Sequence, residues 1–347
     1  MRVVTKEGAK VAVVGASGYA GEELVRLLLT HSHAEIAALT SRKFTGKRMS
    51  EVFPRFGKFS LADTFSFSDF EPARIAREAE IVFLALPHGI SVEFVRPLLD
   101  AGVRVIDLSA DFRLRRAEVY QDFYGKEHAD PALLAEAVYG LPEIYREKIR
   151  DAKLVACPGC YPTSILVPLL PLLREKLIAT DSICVTSLSG VTGAGRKIAA
   201  EYLFAECNES IRPYGVPKHR HLSEIEQELS AAANEKVMIQ FTPHLVPANR
   251  GIISTISADL QHAEAIGAVL QNVYRDEPFV RLLSGDQFPD TKNVIGTNFI
   301  DIAWRIDPRT NRVVLLSAID NIVKGTSGQA IQCMNLMCGF PETAGLL

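Results

Sequence analysis

The first half of the chain alternates short apolar runs with amphipathic ones. Lys10–Val14, Glu35–Thr40, Glu80–Leu86, Arg104–Ser109 and Lys153–Ala156 are short, apolar and rich in β-branched residues, so each reads as a buried strand. Helical spacing falls between them at about Gly21–Thr30, Ala73–Glu78 and Ser91–Asp100. This alternation predicts a parallel, doubly wound sheet over roughly residues 1–157. The second half differs. Ser182–Ser189, Val237–Leu245, Gly251–Leu260, Phe299–Ile306 and Arg312–Ile319 are longer, and several alternate apolar with polar side chains. Alternation leaves one face wet, which predicts a mixed or antiparallel sheet. Helices at about Gly195–Cys207, Ser223–Ala233 and Ala263–Arg275 are expected to cover its buried face. A last helix at about Gly328–Cys338 is expected to return to the first domain. The fold class is therefore α/β. A doubly wound domain over 1–157, completed by a C-terminal helix within 321–347, precedes an α+β domain over 158–320.

Composition narrows the class. Lys plus Arg number 38 against 41 Asp plus Glu, a net charge of −3, so nothing attracts nucleic acid or an anionic membrane. The longest apolar runs, such as Ile81–Pro87 and Ile165–Leu173, are too short to span a bilayer. Met1–Lys10 carries charges but no apolar signal core, and a cytoplasmic protein is expected. The six cysteines (157, 160, 184, 207, 333 and 338) are too sparse for a disulfide scaffold and read mostly as small buried apolar residues.

Two turns carry chemistry. The first strand runs into Gly15-Ala16-Ser17-Gly18-Tyr19-Ala20-Gly21 and then a helix. Glycines permit a tight turn and a close backbone approach, and a helix N-terminus offers N–H groups to a pyrophosphate. A tight turn without a ligand is the competing reading of G-x-x-G-x-x-G. The next strand ends in Ser41-Arg42-Lys43, where an NAD enzyme usually places a carboxylate. Two cations and a hydroxyl suit a 2′-phosphate and favour NADP, with a solvated basic loop as the alternative.

The second turn is Ala156-Cys157-Pro158-Gly159-Cys160-Tyr161-Pro162-Thr163, ending a strand and opening the helix Thr163–Leu173. A thiol at a helix N-terminus is acidified, and the adjacent N–H groups can hold an oxyanion. Cys160 is thus the candidate nucleophile for covalent acyl transfer. Cys157 and Cys160 also form a C-x-x-C, which leaves thiol–disulfide exchange open. Lys218-His219-Arg220-His221 supplies candidate acid–base residues, followed by Glu224, Glu226 and Glu228 on a helix, where a carboxylate can orient an imidazole. A solvated basic turn is the plainer reading. No spacing of His, Cys or carboxylates suggests a metal site.

The segments GASGYAGEEL (15–24), LALPHG (84–89), DLSADFRL (107–114), YGLPE (139–143), PGCYPT (158–163), SGVTGAGRK (189–197), HRHLSEIEQ (219–227), PHLVPANRG (243–251) and DNIVKGTSGQAIQ (320–332) run in order over nearly the whole chain. In them the sequence resembles the N-acetyl-γ-glutamyl-phosphate reductase family of arginine biosynthesis, related in fold to aspartate-semialdehyde and glyceraldehyde-phosphate dehydrogenases. The resemblance implies Cys160 as nucleophile and His219 as acid–base residue, with His221 its nearest rival. It implies substrate contacts from Arg113, Ser189, Arg196, Lys197 and His221. It implies NADP contacts from Gly15, Ser17, Gly18, Tyr19, Gly21, Ser41, Arg42, Lys43, Pro87, Gly190, Asn321 and Gly325. A Rossmann-type NADP-binding domain over 1–157, a catalytic and oligomerisation domain over 158–320, a small acyl-phosphate substrate entering between the domains, a cysteine thioester and a homotetramer are implied as well. Two positions depart from the family pattern: Cys157 stands where Asn is common, and Ser223 stands where Pro is usual. Two other readings remain at this point: a carrier-linked aminoadipyl-phosphate reductase of lysine biosynthesis, and an NADPH-binding redox sensor using Cys157 and Cys160.

Overall fold

Six short strands build the sheet of the first of two units into which the chain divides. The computed structural model describes residues 8–59, 62–196 and 198–347. The first unit comprises Met1–Glu118, Lys126–Pro158 and Thr326–Leu347, and the second comprises Val119–Gly125 and Gly159–Gly325.

In the first unit, β1 (Ala9–Val14), β2 (Ala34–Thr40), β3 (Ile81–Leu84), β4 (Arg104–Asp107), β5 (Val138–Tyr139) and β6 (Leu154–Ala156) lie in the order β2-β1-β3-β4-β6-β5. Every pairing is parallel. The unbroken apolar runs follow from the two-residue period of a strand covered on both faces. Val11, Val13, Ile81 and Phe83 join one core with Leu24, Leu28, Ile331 and Met334. Ala12, Val14, Val82 and Leu84 join the other, with Ile75, Val95 and Leu98. The helices Tyr19–Leu28, Pro72–Glu78 and Val92–Asp100 fall near their expected positions. The C-terminal helix Gly328–Cys338 is buried along nearly its whole length despite carrying Gln332 and Asn335. Both amides are satisfied. Gln332 donates to Glu143 and Glu342, and Asn335 donates to the carbonyls of Glu342 and Ala344 and pairs with His31.

In the second unit, β7 (Cys184–Gly190), β8 (Arg212–Pro213), β9 (Gln240–Val246), β10 (Ile252–Asp259), β11 (Val280–Leu282), β12 (Ile300–Asp307) and β13 (Arg312–Ile319) lie in the order β11-β12-β13-β10-β7-β9-β8. Neighbours are antiparallel except β11/β12 and β7/β9, so the sheet is mixed. Its buried face carries the helix Cys160–Arg174, flanked by the helices His221–Ala233 and Ile266–Tyr274.

The helix Cys160–Arg174 contains Pro168 and Pro171, each of which removes the N–H that would serve the carbonyl four residues back. The two orphaned acceptors are Ser164 O and Val167 O. Ser317 Oγ on β13 donates to the first at 2.6 Å, and the Tyr274 hydroxyl donates to the second. Beneath the helix, Ser164 Oγ, Ser254 Oγ and Ser187 Oγ form a buried chain at 2.8 and 2.7 Å. The register of β10 puts Ser254 opposite both Ser187 and Ser317.

The helix expected over Gly195–Cys207 does not form. Short 3₁₀ turns at Val191–Ala194 and Ala200–Tyr202 and a single helical turn at Phe204–Cys207 take its place. Gly195 has φ +72°, a chain-reversing conformation, and Ile198 and Phe204 are 97% and 79% exposed. A segment without a buried apolar stripe has little to hold a longer helix.

Candidate active site

The second unit opens on the thiol. Gly159 is the N-cap of its helix, Cys160 is the first helical residue, and Pro162 sits in the first turn, where its missing N–H costs nothing. Thr163 closes the turn with both its N–H and its hydroxyl on Gly159 O, each at 3.0 Å. Glu224, 1% exposed on the helix His221–Ala233, accepts the Gly159 N–H at 2.9 Å. Glu224, one of the carboxylates expected near the imidazole, thus fastens the cysteine turn. The half-buried thiol lies close enough for its charge to act on the Tyr161 and Tyr214 phenols.

His219 shares this neighbourhood. Its ring meets Tyr161, Tyr214, His221 and Phe241 at centroid distances of 5.6, 5.4, 5.0 and 5.6 Å. Its Nδ1 accepts the His221 N–H at 3.2 Å, so the neutral ring carries its proton on Nε2. Burial, helped by the positive charge of Arg220, pushes its pKa down to about 4. The Lys218–Arg220 stretch is anchored by Lys218 on Asp122 at 2.7 Å and by Arg220 over the Tyr124 ring. His221 begins the following helix, with its ring 5.9 Å from that of Tyr161.

Other expected substrate residues fall around the same unit. Ser189, nearly buried at the end of β7, donates to Gly190 O at 3.1 Å and is hydrogen-bonded to Tyr161. Arg196 is exposed, and Lys197 lies outside the described residues. Asn321 holds two loops together, accepting from Gly251 N at 2.8 Å and donating to Thr192 Oγ1 at 3.0 Å. Gly325 backs onto the nucleophile: a Cβ there would stand 2.7 Å from Cys160 Cβ.

The nucleotide turn belongs to the first unit. The helix Tyr19–Leu28 starts after Gly18 with no side-chain cap, leaving first-turn N–H groups for an anion. A Cβ on Gly21 would stand 2.5 Å from Gly15 O, so the turn closes only around glycine. Ser17 and Ser41 hydroxyls meet at 2.9 Å at the ends of β1 and β2, and Arg42, Lys43, Lys47 and Arg48, which follow Ser41 in the chain, are exposed. The nearby Asp69 is taken up by the Thr45 hydroxyl at 2.8 Å. Further along the chain, the Gln329 amide is fully buried with no protein partner on either atom. An uncapped helix start, a glycine-only turn and four cations fit a phosphorylated dinucleotide. Pro87 is exposed on a turn that the sequence alone did not resolve: His88 Nδ1 accepts Ala110 N–H at 3.0 Å and Asp111 accepts Gly89 N–H at 2.6 Å. Arg113 is nearly buried and donates to Cys157 O at 2.6 Å and Leu108 O at 2.9 Å. Cys157 itself lies in the apolar core of this unit.

Among the described residues no group of His, Cys, Asp and Glu could hold a metal, and no helix is long and apolar enough to cross a membrane. The parallel-sheet unit followed by the mixed-sheet unit is the arrangement of a semialdehyde dehydrogenase. Family models agree: the semialdehyde dehydrogenase NAD-binding domain matches residues 10–152 and the semialdehyde dehydrogenase dimerisation domain matches residues 160–321. An N-acetyl-γ-glutamyl-phosphate reductase of Akkermansia muciniphila is 56% identical over 97% of this chain and 98% of its own length. One from Moorella thermoacetica is 48% identical over 97% of both chains. The chain belongs to the N-acetyl-γ-glutamyl-phosphate reductase family. The fold is shared with aspartate semialdehyde dehydrogenase II of Vibrio cholerae, at TM-score 0.72 and 18% identity over 96% of this chain and 98% of that one. An aspartate semialdehyde dehydrogenase of Candida albicans, solved with NADP, gives TM-score 0.72 at 16% identity over 95% and 98%. The chain is an oxidoreductase with an oligomerising catalytic domain.

Proposed function

We propose that the chain reduces N-acetyl-L-glutamyl 5-phosphate to N-acetyl-L-glutamate 5-semialdehyde and phosphate, through a thioester on Cys160. The carrying observation is the thiol at the start of a helix, its turn fastened by Glu224, beside a buried His219 of fixed tautomer. Cys160 Sγ attacks the acyl carbon, the C–O bond to phosphate breaks, and phosphate leaves with the electron pair. Arg196 and Lys197 draw the phosphate, and Arg113 stiffens the strand ends while contributing to substrate binding. The backbone N–H of Tyr161, in the first turn of the helix, would donate to the developing oxyanion.

The Gly15–Gly21 turn, with Ser41, Arg42 and Lys43 toward a 2′-phosphate, would hold NADPH, which when bound would supply hydride to the thioester carbonyl. His219 serves the resulting thiohemiacetal oxygen. With its pKa near 4 the ring is neutral through the physiological range, and Nε2–H donates to the oxyanion. Collapse then breaks the C–S bond, releases the aldehyde and returns the thiolate. No feature of the site favours the carrier-linked or redox-sensor readings, and Cys157 is 1% exposed. The chain works as a cytoplasmic homotetramer. Its exposed Ile198, Leu203, Phe204 and Ile211 support association, which light scattering measures directly.

The testing assay follows NADPH absorbance with N-acetylglutamate 5-semialdehyde, phosphate and NADP, with aspartate semialdehyde in parallel. Phosphate-dependent NADPH formation with the acetylated substrate alone is expected. Equal rates with both semialdehydes, or none with either, would overturn the reading.

A further inference from the structure

His219 belongs to no strand or helix, and the five residues before it, Tyr214–Lys218, are all exposed. A reacting imidazole on such a loop needs something other than its own backbone to hold it. The cluster supplies this from two neighbouring positions. Gly215 has φ +62°, and a Cβ built on it would stand 2.8 Å from His219 Cδ2. The bare glycine is the floor on which the ring rests. Tyr214 is the wall: its ring meets the imidazole at 78°, and its hydroxyl donates to the Tyr161 hydroxyl at 2.9 Å. Tyr161 is the residue after the nucleophile and is hydrogen-bonded in turn to Ser189, so the wall is tied to the cysteine helix.

We propose that Tyr214 and Gly215 are positioning residues for His219, holding the imidazole edge-on against the cysteine turn and closing it from water. The proposal rests on the reading of His219 as the residue that serves the reacting oxygen. The hydroxyl pair is a structural tie: burial of the two hydroxyls pushes both phenols above the ordinary tyrosine range, so both keep their protons near neutral pH and the hydrogen bond between them holds. The titratable and charged groups facing the His219 ring are Tyr161, Tyr214, His221 and Arg220, with the Cys160 thiol nearby. Of these only Arg220 brings a lasting positive charge, and it acts in the same direction as burial. Moving the ring into water therefore raises its pKa toward the ordinary histidine value.

The experiment uses the full chain in the assay with N-acetylglutamate semialdehyde, phosphate and NADP. Gly215→Ala should lower kcat by about 10- to 100-fold, because misplacing a reacting group by an ångström has that effect. The KM for semialdehyde should stay within about threefold, and the acid limb of the kcat/KM profile should move up by about a unit or more. Tyr214→Ala should act alike, while Tyr214→Phe, which keeps the wall, should retain at least about a third of kcat. A Gly215→Ala enzyme with normal kcat and an unmoved acid limb would overturn the proposal. So would a Tyr214→Phe enzyme as slow as Tyr214→Ala, since the phenol itself would then be the working group. Should Gly215→Ala fail to fold, the Tyr214 pair decides alone. Should His219→Asn leave kcat unchanged, the underlying reading of His219 fails, whatever the Gly215 and Tyr214 enzymes do.

Discussion

Two helices of this molecule begin in nearly the same way and are put to opposite uses. Gly18 caps the first at φ −75°, ψ 169°, and Gly159 caps the other at φ −70°, ψ 161°, each following a strand and a short turn. Neither cap has a side chain of its own to bond the helix. At Gly18 the turn closes on its own backbone, the Gly18 N–H donating to Gly15 O at 3.2 Å, and the helix start has no side-chain cap. At Gly159 a carboxylate from a distant helix takes the N–H, and the turn becomes a rigid mount for a thiol. The same backbone start leaves its amides to an incoming anion where it is uncapped and holds a thiol where a carboxylate fastens it.

Substitutions in the two turns can break that comparison. Cys160→Ser should abolish the reaction, a loss of about four or more orders of magnitude by analogy with other covalent nucleophiles. NADPH binding, followed by fluorescence, should be unaffected. Residual activity of a tenth would disprove the covalent scheme. Gly21→Ala should do the reverse. Its Cβ would stand 2.5 Å from Gly15 O, so the open turn has to shift, and NADPH affinity should fall about tenfold or more with Cys160 still reactive toward alkylating reagents. Unchanged affinity by titration would mean that the turn does not cradle the dinucleotide.

Glu224→Ala tests the fastened turn. Leaving the Gly159 N–H buried and unmet costs about 1–3 kcal/mol, and kcat should fall about tenfold with NADPH affinity unchanged. Glu224→Gln keeps an acceptor and should recover most of the rate; if Gln is as slow as Ala, charge rather than fastening is at work. The smallest effect is expected from Ser317→Ala, which strips the Ser164 carbonyl of its donor at a cost of about 1–2 kcal/mol in thermal denaturation. Adding Pro168→Ala restores an N–H for that carbonyl, so the double variant should regain stability over Ser317→Ala. Equal losses in both would show that the hydroxyl is not replacing the missing helix bond.

Legibility followed the length of the pattern. The strand Arg312–Ile319 and the helix Gly328–Cys338 stand where their periodicities put them, because each buries a regular face. Val138–Tyr139 was invisible, since two residues carry no period. The 195–207 segment has helix-forming residues but no buried stripe, and packing decided against it. The chemistry divides likewise. Cys160 and the Gly15–Gly21 turn announce themselves through local spacing. Glu224 on Gly159, Tyr214 on Tyr161 and Asp111 on Gly89 depend on partners 65, 53 and 22 residues away, which no local pattern records.

The prolines of the cysteine helix have a consequence for how such a sequence can drift. Ser317 and Tyr274 lie far along the chain from Pro168 and Pro171, yet each stands in for one amide that a proline removed. Loss of either hydroxyl costs least where the matching proline has already reverted. A proline arriving first, by contrast, strands a carbonyl. Among diverging relatives the two pairs should therefore change together, with the hydroxyl the older member of each.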